Sequence, residues 1–249
     1  MRKKILAANW KMNLLVEEAR ELLDNLNSVN VPEGRRSILA LPYIYLSLGK
    51  ERITNENISI SAQNMHMEEK GAYTGEISGT QLISLGVNHV IIGHSERRTM
   101  FHEDNSILNQ KLKKALELGI TPIFCIGEPK EEREKKTYEA FLYKQLKEGL
   151  EGISKEEIKT MIFAYEPIWA IGSGKPMGAS DIHSMCEFVR NTLEVMAPGV
   201  KEEVHILYGG SVNGSTIDDM MASPQVDGVL VGGASLKYEE FKRIIEFEV

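Results

Sequence analysis

Eight short apolar runs recur along this chain, and their spacing limits what it can fold into. They are "ILAANW" (5–10), "SILALP" (37–42), "ISISAQN" (58–64), "HVIIG" (89–93), "TPIFCIG" (121–127), "MIFAYE" (161–166), "VHILYGG" (204–210) and "GVLVGG" (228–233). Each is too continuously apolar for a strand with one wet face. Such runs suit parallel strands covered on both sides. Between them lie helical patterns. "VEEARELLDNLN" sets Ala19, Leu22, Leu23 and Leu26 on one face, and "SILNQKLKKALELG" gathers Ile107, Leu108, Leu112, Ala115, Leu116 and Leu118 before a C-terminal Gly119. "SDIHSMCEFVRNTL" groups Ile182, Met185, Cys186, Val189 and Leu193, with Ser180 or Asp181 expected as its cap, and "SLKYEEFKRIIEF" closes the chain. Eight strands alternating with helices in 249 residues predict an α/β protein, a single-domain (β/α)8 barrel over 1–249. A doubly wound open sheet is the alternative, but eight parallel strands would make it large for this length.

Charge and composition narrow the partners. The net charge is −7, which argues against general binding to nucleic acid or to an anionic membrane. Hydrophobic residues make up 42% of the chain, yet no run is long enough to span a bilayer. The opening "MRKKILAANWKMN" is interrupted by Asn9, Trp10 and Lys11, so it reads as a first strand rather than a secretory leader. Two cysteines far apart, Cys125 and Cys186, suit buried or free thiols in a reducing cytoplasm better than a disulfide framework. Asn57 and Asn213 begin glycosylation-type triplets, which carry little weight without a secretory signal.

In a barrel of this kind, chemistry sits where strands end and the following loops begin. The polar residues there are Asn9 and Lys11, Gln63 and Asn64, His94 with Ser95 and Glu96, Glu128, and Glu166. Strands seven and eight end in Gly209-Gly210-Ser211 and Gly232-Gly233. Paired glycines let backbone N–H groups approach a ligand, and "GGAS" opens a helical turn whose N–H groups attract anions. On these two consecutive strands they suggest a phosphate site. A tight turn is the plainer reading of either pair alone.

A carboxylate at the end of a buried strand, Glu166, can act as a general base if it is close, oriented and poorly hydrated; such help is worth roughly 10²–10⁴-fold. Donors facing a developing oxyanion add about 3–4 kcal/mol each when strong. Lys11, His94 and Asn9 are such donors, and His94 precedes a helical turn that favours a neutral ring. The other histidines, His66, His89, His102, His183 and His205, show no zinc-type spacing. One base, several oxyanion donors and a phosphate nest describe proton abstraction beside the carbonyl of a phosphorylated sugar.

The stretches "NWKMN", "AQNMH" with "GAYTGE", "IIGHSERR", "CIGE", "AYEPIWAIGSGK", "YGGSV" and "VDGVLVGGASLK" occur in this order along essentially the whole chain. The sequence thereby resembles the triosephosphate isomerase family, whose fold is the TIM barrel. The resemblance implies cofactor-free interconversion of dihydroxyacetone phosphate and D-glyceraldehyde 3-phosphate through an enediolate, in glycolysis and gluconeogenesis. It implies Glu166 as the base, His94 as a neutral electrophile, Lys11 as stabiliser of the oxyanion and substrate charge, and Asn9 as an orienting group. Glu96 would pair with Lys11, and Ser95 would hold Glu166 before closure. Gly172, Ser211, Gly232 and Gly233 would offer N–H groups to the phosphate.

The family is itself a standard example of a closing lid, and here 167–175 corresponds to it. Pro167-Ile168-Trp169 would be a stiff first hinge, Ala170–Gly172 the tip and Ser173-Gly174-Lys175 the second hinge. The loop 64–78 resembles the segment that inserts into a neighbouring subunit, with Thr74 near the partner's Asn9–Lys11 region. A homodimer is thus implied, and a tetramer is also open. Met67 stands where an aromatic is common in the family, and Ser173 where threonine is. Two rivals remain on the sequence: another phosphosugar barrel such as an epimerase, which would need a second acid/base or a metal, and a barrel kept as a scaffold after losing catalysis.

Overall fold

The computed structural model describes residues 2–171 and 177–249. Its strands are β1 (Lys4–Asn9), β2 (Arg35–Leu41), β3 (Ile58–Ala62), β4 (His89–Ile92), β5 (Thr121–Ile126), β6 (Ile162–Tyr165), β7 (His205–Tyr208) and β8 (Gly228–Val231). All neighbours pair parallel in chain order, and β8 returns to β1 to close the barrel. The open-sheet alternative is thereby excluded. No helix among the described residues is long and apolar enough to cross a membrane.

Alternation along each strand sorts the apolar residues into two cores. Ile58, Ile60, Phe124, Phe163, Ile206 and Val229 face outward and join the helices in one buried cluster. The inward set is separate: Ile5, Ala7, Ile38, Ala40, Ile91, Ile123, Cys125, Ile162, Ala164, Leu207 and Leu230. The bulkier members of the inward set stand mostly towards the strand starts. Ala7, Ala40, Cys125 and Ala164 follow them, each one inward step nearer the strand ends. The barrel is therefore plugged by isoleucines at its N-terminal side and left with room at its C-terminal side. One step further, the same inward parity reaches Asn9, Gly93, Gly127, Glu166, Gly209 and Gly232.

The helix Val16–Asn27 buries the expected Ala19, Leu22, Leu23 and Leu26. Asn105–Glu117 is followed by Gly119 at φ +72°, a left-handed turn that suits glycine. It buries Leu108, Leu112 and Ala115, and also Lys111. One expectation needs correcting. The helix Ala179–Met196 starts after Gly178, not at Ser180 or Asp181. Those two residues lie in its first turn, where Asp181 complements the helix dipole instead of capping a free N–H group.

Candidate active site

A cavity of about 320 Å³ opens at the C-terminal mouth of the barrel. Asn9, Lys11, His94, Glu166, Ser211, Gly232 and Gly233 all line it, together with Ile171, Val212 and Leu230. Seven side chains or backbone segments picked from five separate strand ends thus meet in one space. Gly172, with the lid portion 172–175, lies outside the described residues.

Lys11 follows β1 with φ +53°, a left-handed conformation that costs a non-glycine residue about 1 kcal/mol. Two side chains hold it there. Asn9 Oδ1 accepts from the Lys11 N–H at 3.0 Å, and Gln63 Nε2 donates to the Lys11 carbonyl at 2.9 Å and to Ala40 at 3.0 Å. The strained turn aims the ammonium across the mouth, where it meets Glu96 Oε1 at 2.7 Å.

His94 ends the β4 segment and caps the helix Ser95–Met100. Its Nδ1 accepts the Glu96 N–H at 3.2 Å. An acceptor nitrogen carries no proton, so the ring's proton sits on Nε2. That nitrogen points to Glu166 Oε1 at 3.4 Å. The local sequence alone thus sets the tautomer, because the helix begins one residue after the ring.

Glu166 is 4% exposed. Its backbone N–H is tied to Ile126 O at 2.8 Å, and Oε2 is enclosed with no donor among the described residues. No hydrogen bond joins it to Ser95, which is buried at the start of its helix; the carboxylate is turned to His94 instead. Cys125 stands behind Glu166. Burial, and then the Glu166 carboxylate, push its thiol well above the usual range, so it stays protonated. The sequence makes Cys125 a buried or free thiol, and it is both; its place beside Glu166 follows only from its inward parity on β5, two residues after Ile123.

The glycines have more specific reasons than the sequence suggests. A Cβ on Gly127 would lie 1.8 Å from the Glu166 carbonyl oxygen, and one on Gly209 would lie 2.6 Å from Glu166 Cγ. One on Gly210 would strike the Tyr208 hydroxyl at 2.2 Å. Gly127 is therefore small to let the Glu166 backbone pass, Gly209 to admit the Glu166 side chain, and Gly210 to admit a tyrosine. At Gly233 nothing lies within 4 Å, so its openness faces the cavity, at the start of the 3-10 turn Gly233–Leu236.

The first hinge of the expected lid is anchored through Glu128, a fully buried carboxylate. Its Oε1 accepts from Trp169 Nε1 at 3.0 Å and from the Tyr165 hydroxyl at 3.1 Å, and its carbonyl accepts the Ile168 N–H. Ser211 Oγ donates to the Ala170 carbonyl at 2.8 Å, which fastens the β7 loop to the same segment.

The family model for triosephosphate isomerase matches residues 4–248. The chain belongs to the triosephosphate isomerase family. Curated triosephosphate isomerases agree: that of Finegoldia magna is 43% identical over 99% of both chains. That of Clostridium botulinum (Langeland strain) is 46% identical over 99% of this chain and all of its own, and that of Carboxydothermus hydrogenoformans is 43% identical over 99% of each. Within the triosephosphate isomerase framework, the arrangement can do two things. It can take a proton from carbon at Glu166, and it can support a negative oxygen with Lys11 and the Nε2–H of His94. Among the described residues, no group of three or more His, Cys, Asp or Glu side chains is arranged to hold a metal ion.

Proposed function

We propose that this chain interconverts dihydroxyacetone phosphate and D-glyceraldehyde 3-phosphate, in glycolysis and gluconeogenesis, with the C-terminal mouth as its active site. The observation that carries the reading is the approach of Glu166 Oε1 to His94 Nε2 at 3.4 Å inside a cavity that Lys11 also lines. In this reading Glu166 removes the proton from the carbon beside the carbonyl. The electron pair moves to the carbonyl oxygen and forms an enediolate. His94 passes its Nε2 proton towards that oxygen and recovers one from the neighbouring hydroxyl. Glu166, now protonated, delivers its proton to the other carbon, so the enzyme ends as it began. Lys11 and Asn9 hold the oxygens, and the backbone at Ser211, Gly232 and Gly233 receives the phosphate, with Gly172 joining when the lid closes. Glu96 keeps Lys11 in place.

The test is direct. Purified protein mixed with D-glyceraldehyde 3-phosphate is expected to form dihydroxyacetone phosphate rapidly. Glu166→Gln is expected to stay folded and lose at least about a hundredfold in turnover, the contribution of a general base. Near-normal turnover in that variant removes Glu166 from the role.

The same reading makes the chain a homodimer in the cytoplasm. Its support is a set of bare apolar side chains on the connections, short helices included, that follow β1, β2 and β4. Met12 is 95% exposed, Ile44 77% and Met100 70%, with Leu15 and Phe101 alongside in the same class. A monomer has no reason to keep so many on one flank. The loop 64–78, pinned at its base by the His66 N–H to the Ile77 carbonyl, carries Thr74 outward to the partner. Sedimentation is expected to give twice the 27.9 kDa chain mass, and a monomer at micromolar concentration would end the dimer reading.

A further inference from the structure

The inward parity that reaches the active site also runs the other way. Arg36 stands two residues before Ile38, His89 two before Ile91, Thr121 two before Ile123 and His205 two before Leu207. Alternation puts all four on the interior face, at the N-terminal mouth, beneath the isoleucine plug. β2, β4 and β7 are distant in sequence and become neighbours across this mouth only because the barrel closes.

The groups that meet there are basic and incompletely satisfied. Arg36 Nε and His89 Nδ1 are both enclosed without a hydrogen-bond partner among the described residues. Burial lowers the Arg36 guanidinium, and no described charge offsets it. Burial and then Arg36 also lower His89, to about 4. His205 is lowered first by burial; Asp227 opposes this, while Arg36, Arg2 and Arg190 reinforce it. Among the described residues, Asp227 is the one carboxylate acting on either ring, and it is already engaged. It receives Arg190, Arg2 and the Ile206 N–H. A half-buried guanidinium with no acid of its own is costly to fold around unless an anion joins it.

We propose that the N-terminal mouth binds a small tetrahedral oxyanion between the Arg36 guanidinium and the N–H groups of His89 and His205. The guanidinium fork matches two oxygens of such an ion, and imidazoles can donate to the others. The ion must be small. The interior of an eight-stranded barrel is filled by side chains, and the isoleucines stop anything from passing deeper. The orphaned Arg36 Nε–H gains an acceptor. A bound dianion also favours imidazolium, so binding strengthens as the pH falls.

The probe is sodium sulfate, titrated at constant ionic strength against sodium chloride, with the imidazole Cε1–H resonances followed by NMR from pH 4.5 to 8. The His89 and His205 resonances are expected to move saturably, with the His89 titration midpoint raised by about one unit. Sulfate will also enter the active site, so His94 is the internal marker. Movement confined to His94 overturns the proposal. Arg36→Leu is expected to abolish the His89 and His205 responses and leave isomerase turnover unchanged; responses that persist in it overturn the proposal as well. If Arg36→Leu does not fold, Arg36→Lys replaces it, with sulfate binding expected at least about fivefold weaker through loss of the fork. Undiminished binding in Arg36→Lys removes Arg36 from the site.

Discussion

At the C-terminal mouth of the barrel a lysine and a histidine meet two carboxylates; at the N-terminal mouth an arginine and two histidines meet with no carboxylate free for them. Lys11 has Glu96 at 2.7 Å, and His94 has Glu166 at 3.4 Å and a backbone donor on its other nitrogen. Arg36 Nε and His89 Nδ1 have neither. The difference follows from what fills the strands. Small residues towards the C-terminal end leave a cavity, and glycines at 127 and 209 leave space for the backbone and the side chain of Glu166. At the other end, isoleucines fill the interior. Polar groups that meet in a cavity can be organised around chemistry. Beneath a plug, a charged guanidinium calls for an anion, while a buried imidazole is held towards its neutral form.

The sharpest way to break the order of the active mouth without touching a reacting group is Gly209→Ala. The added methyl would sit 2.6 Å from Glu166 Cγ and 3.0 Å from Oε1, so the carboxylate must move. Misplacing a reacting group by a fraction of an ångström is expected to lower kcat about thirtyfold, or about 2 kcal/mol of barrier. KM should change much less, since the phosphate contacts are untouched. Steady-state kinetics alongside a melting curve would check this. A variant with wild-type kcat and normal stability would show that Glu166 has slack the packing denies.

Much of this is legible in the sequence. The eight runs gave the barrel, and the rule that chemistry gathers at strand ends picked out Asn9, Lys11, His94 and Glu166, which line one cavity. What was hidden depends on closure. Lys111 stands outside the apolar face expected for its helix, yet it is buried against Glu103 at 2.6 Å and Asn64 at 2.9 Å, the latter 47 positions away. Gly209 reads as a phosphate-loop glycine, but the residue it accommodates is on the adjacent strand. Arg36, His89 and His205 read as unrelated, because nothing local says that β2, β4 and β7 share a mouth. Extending the inward parity below Ile38, Ile91 and Leu207 would have found them.

The N-terminal mouth should announce itself in acid. The unfolded His89 ring takes up a proton from about pH 6.5 downward, the folded ring only near pH 4. Stability from this group is therefore complete above about pH 6.5 and drains as the pH falls through that window. His89→Phe keeps the volume and removes the titration. Between pH 8 and pH 5 the variant is expected to lose about 1–2 kcal/mol less than wild type, with partial exposure holding the figure below the full shift. Urea unfolding at the two pH values, in chloride buffer, measures it. Identical losses in both proteins would mean that the ring is not held neutral by its surroundings. Turnover at pH 8 should be unaffected, which separates the two mouths.

The smallest effect tests why one cation is held and the other is not. Lys11 keeps a left-handed backbone at φ +53° because Gln63 ties its carbonyl to the same amide that holds Ala40. Arg36 lies in ordinary strand conformation with no such brace. Gln63→Leu removes both hydrogen bonds and leaves Asn9 Oδ1 alone to hold the turn. The lysine should then sample positions away from the mouth. Substrate charge is bound in ground and transition states alike, so KM is expected to rise about fivefold, or about 1 kcal/mol, with kcat reduced less. Gln63→Glu, which keeps the shape but offers a carboxylate to two carbonyl oxygens, should do worse than leucine, because it adds repulsion to the loss of donors. Equal kinetics for both variants and wild type would mean that the strained turn is fixed by Asn9 and the Glu96 ion pair, and that Gln63 only fills space between β1 and β2.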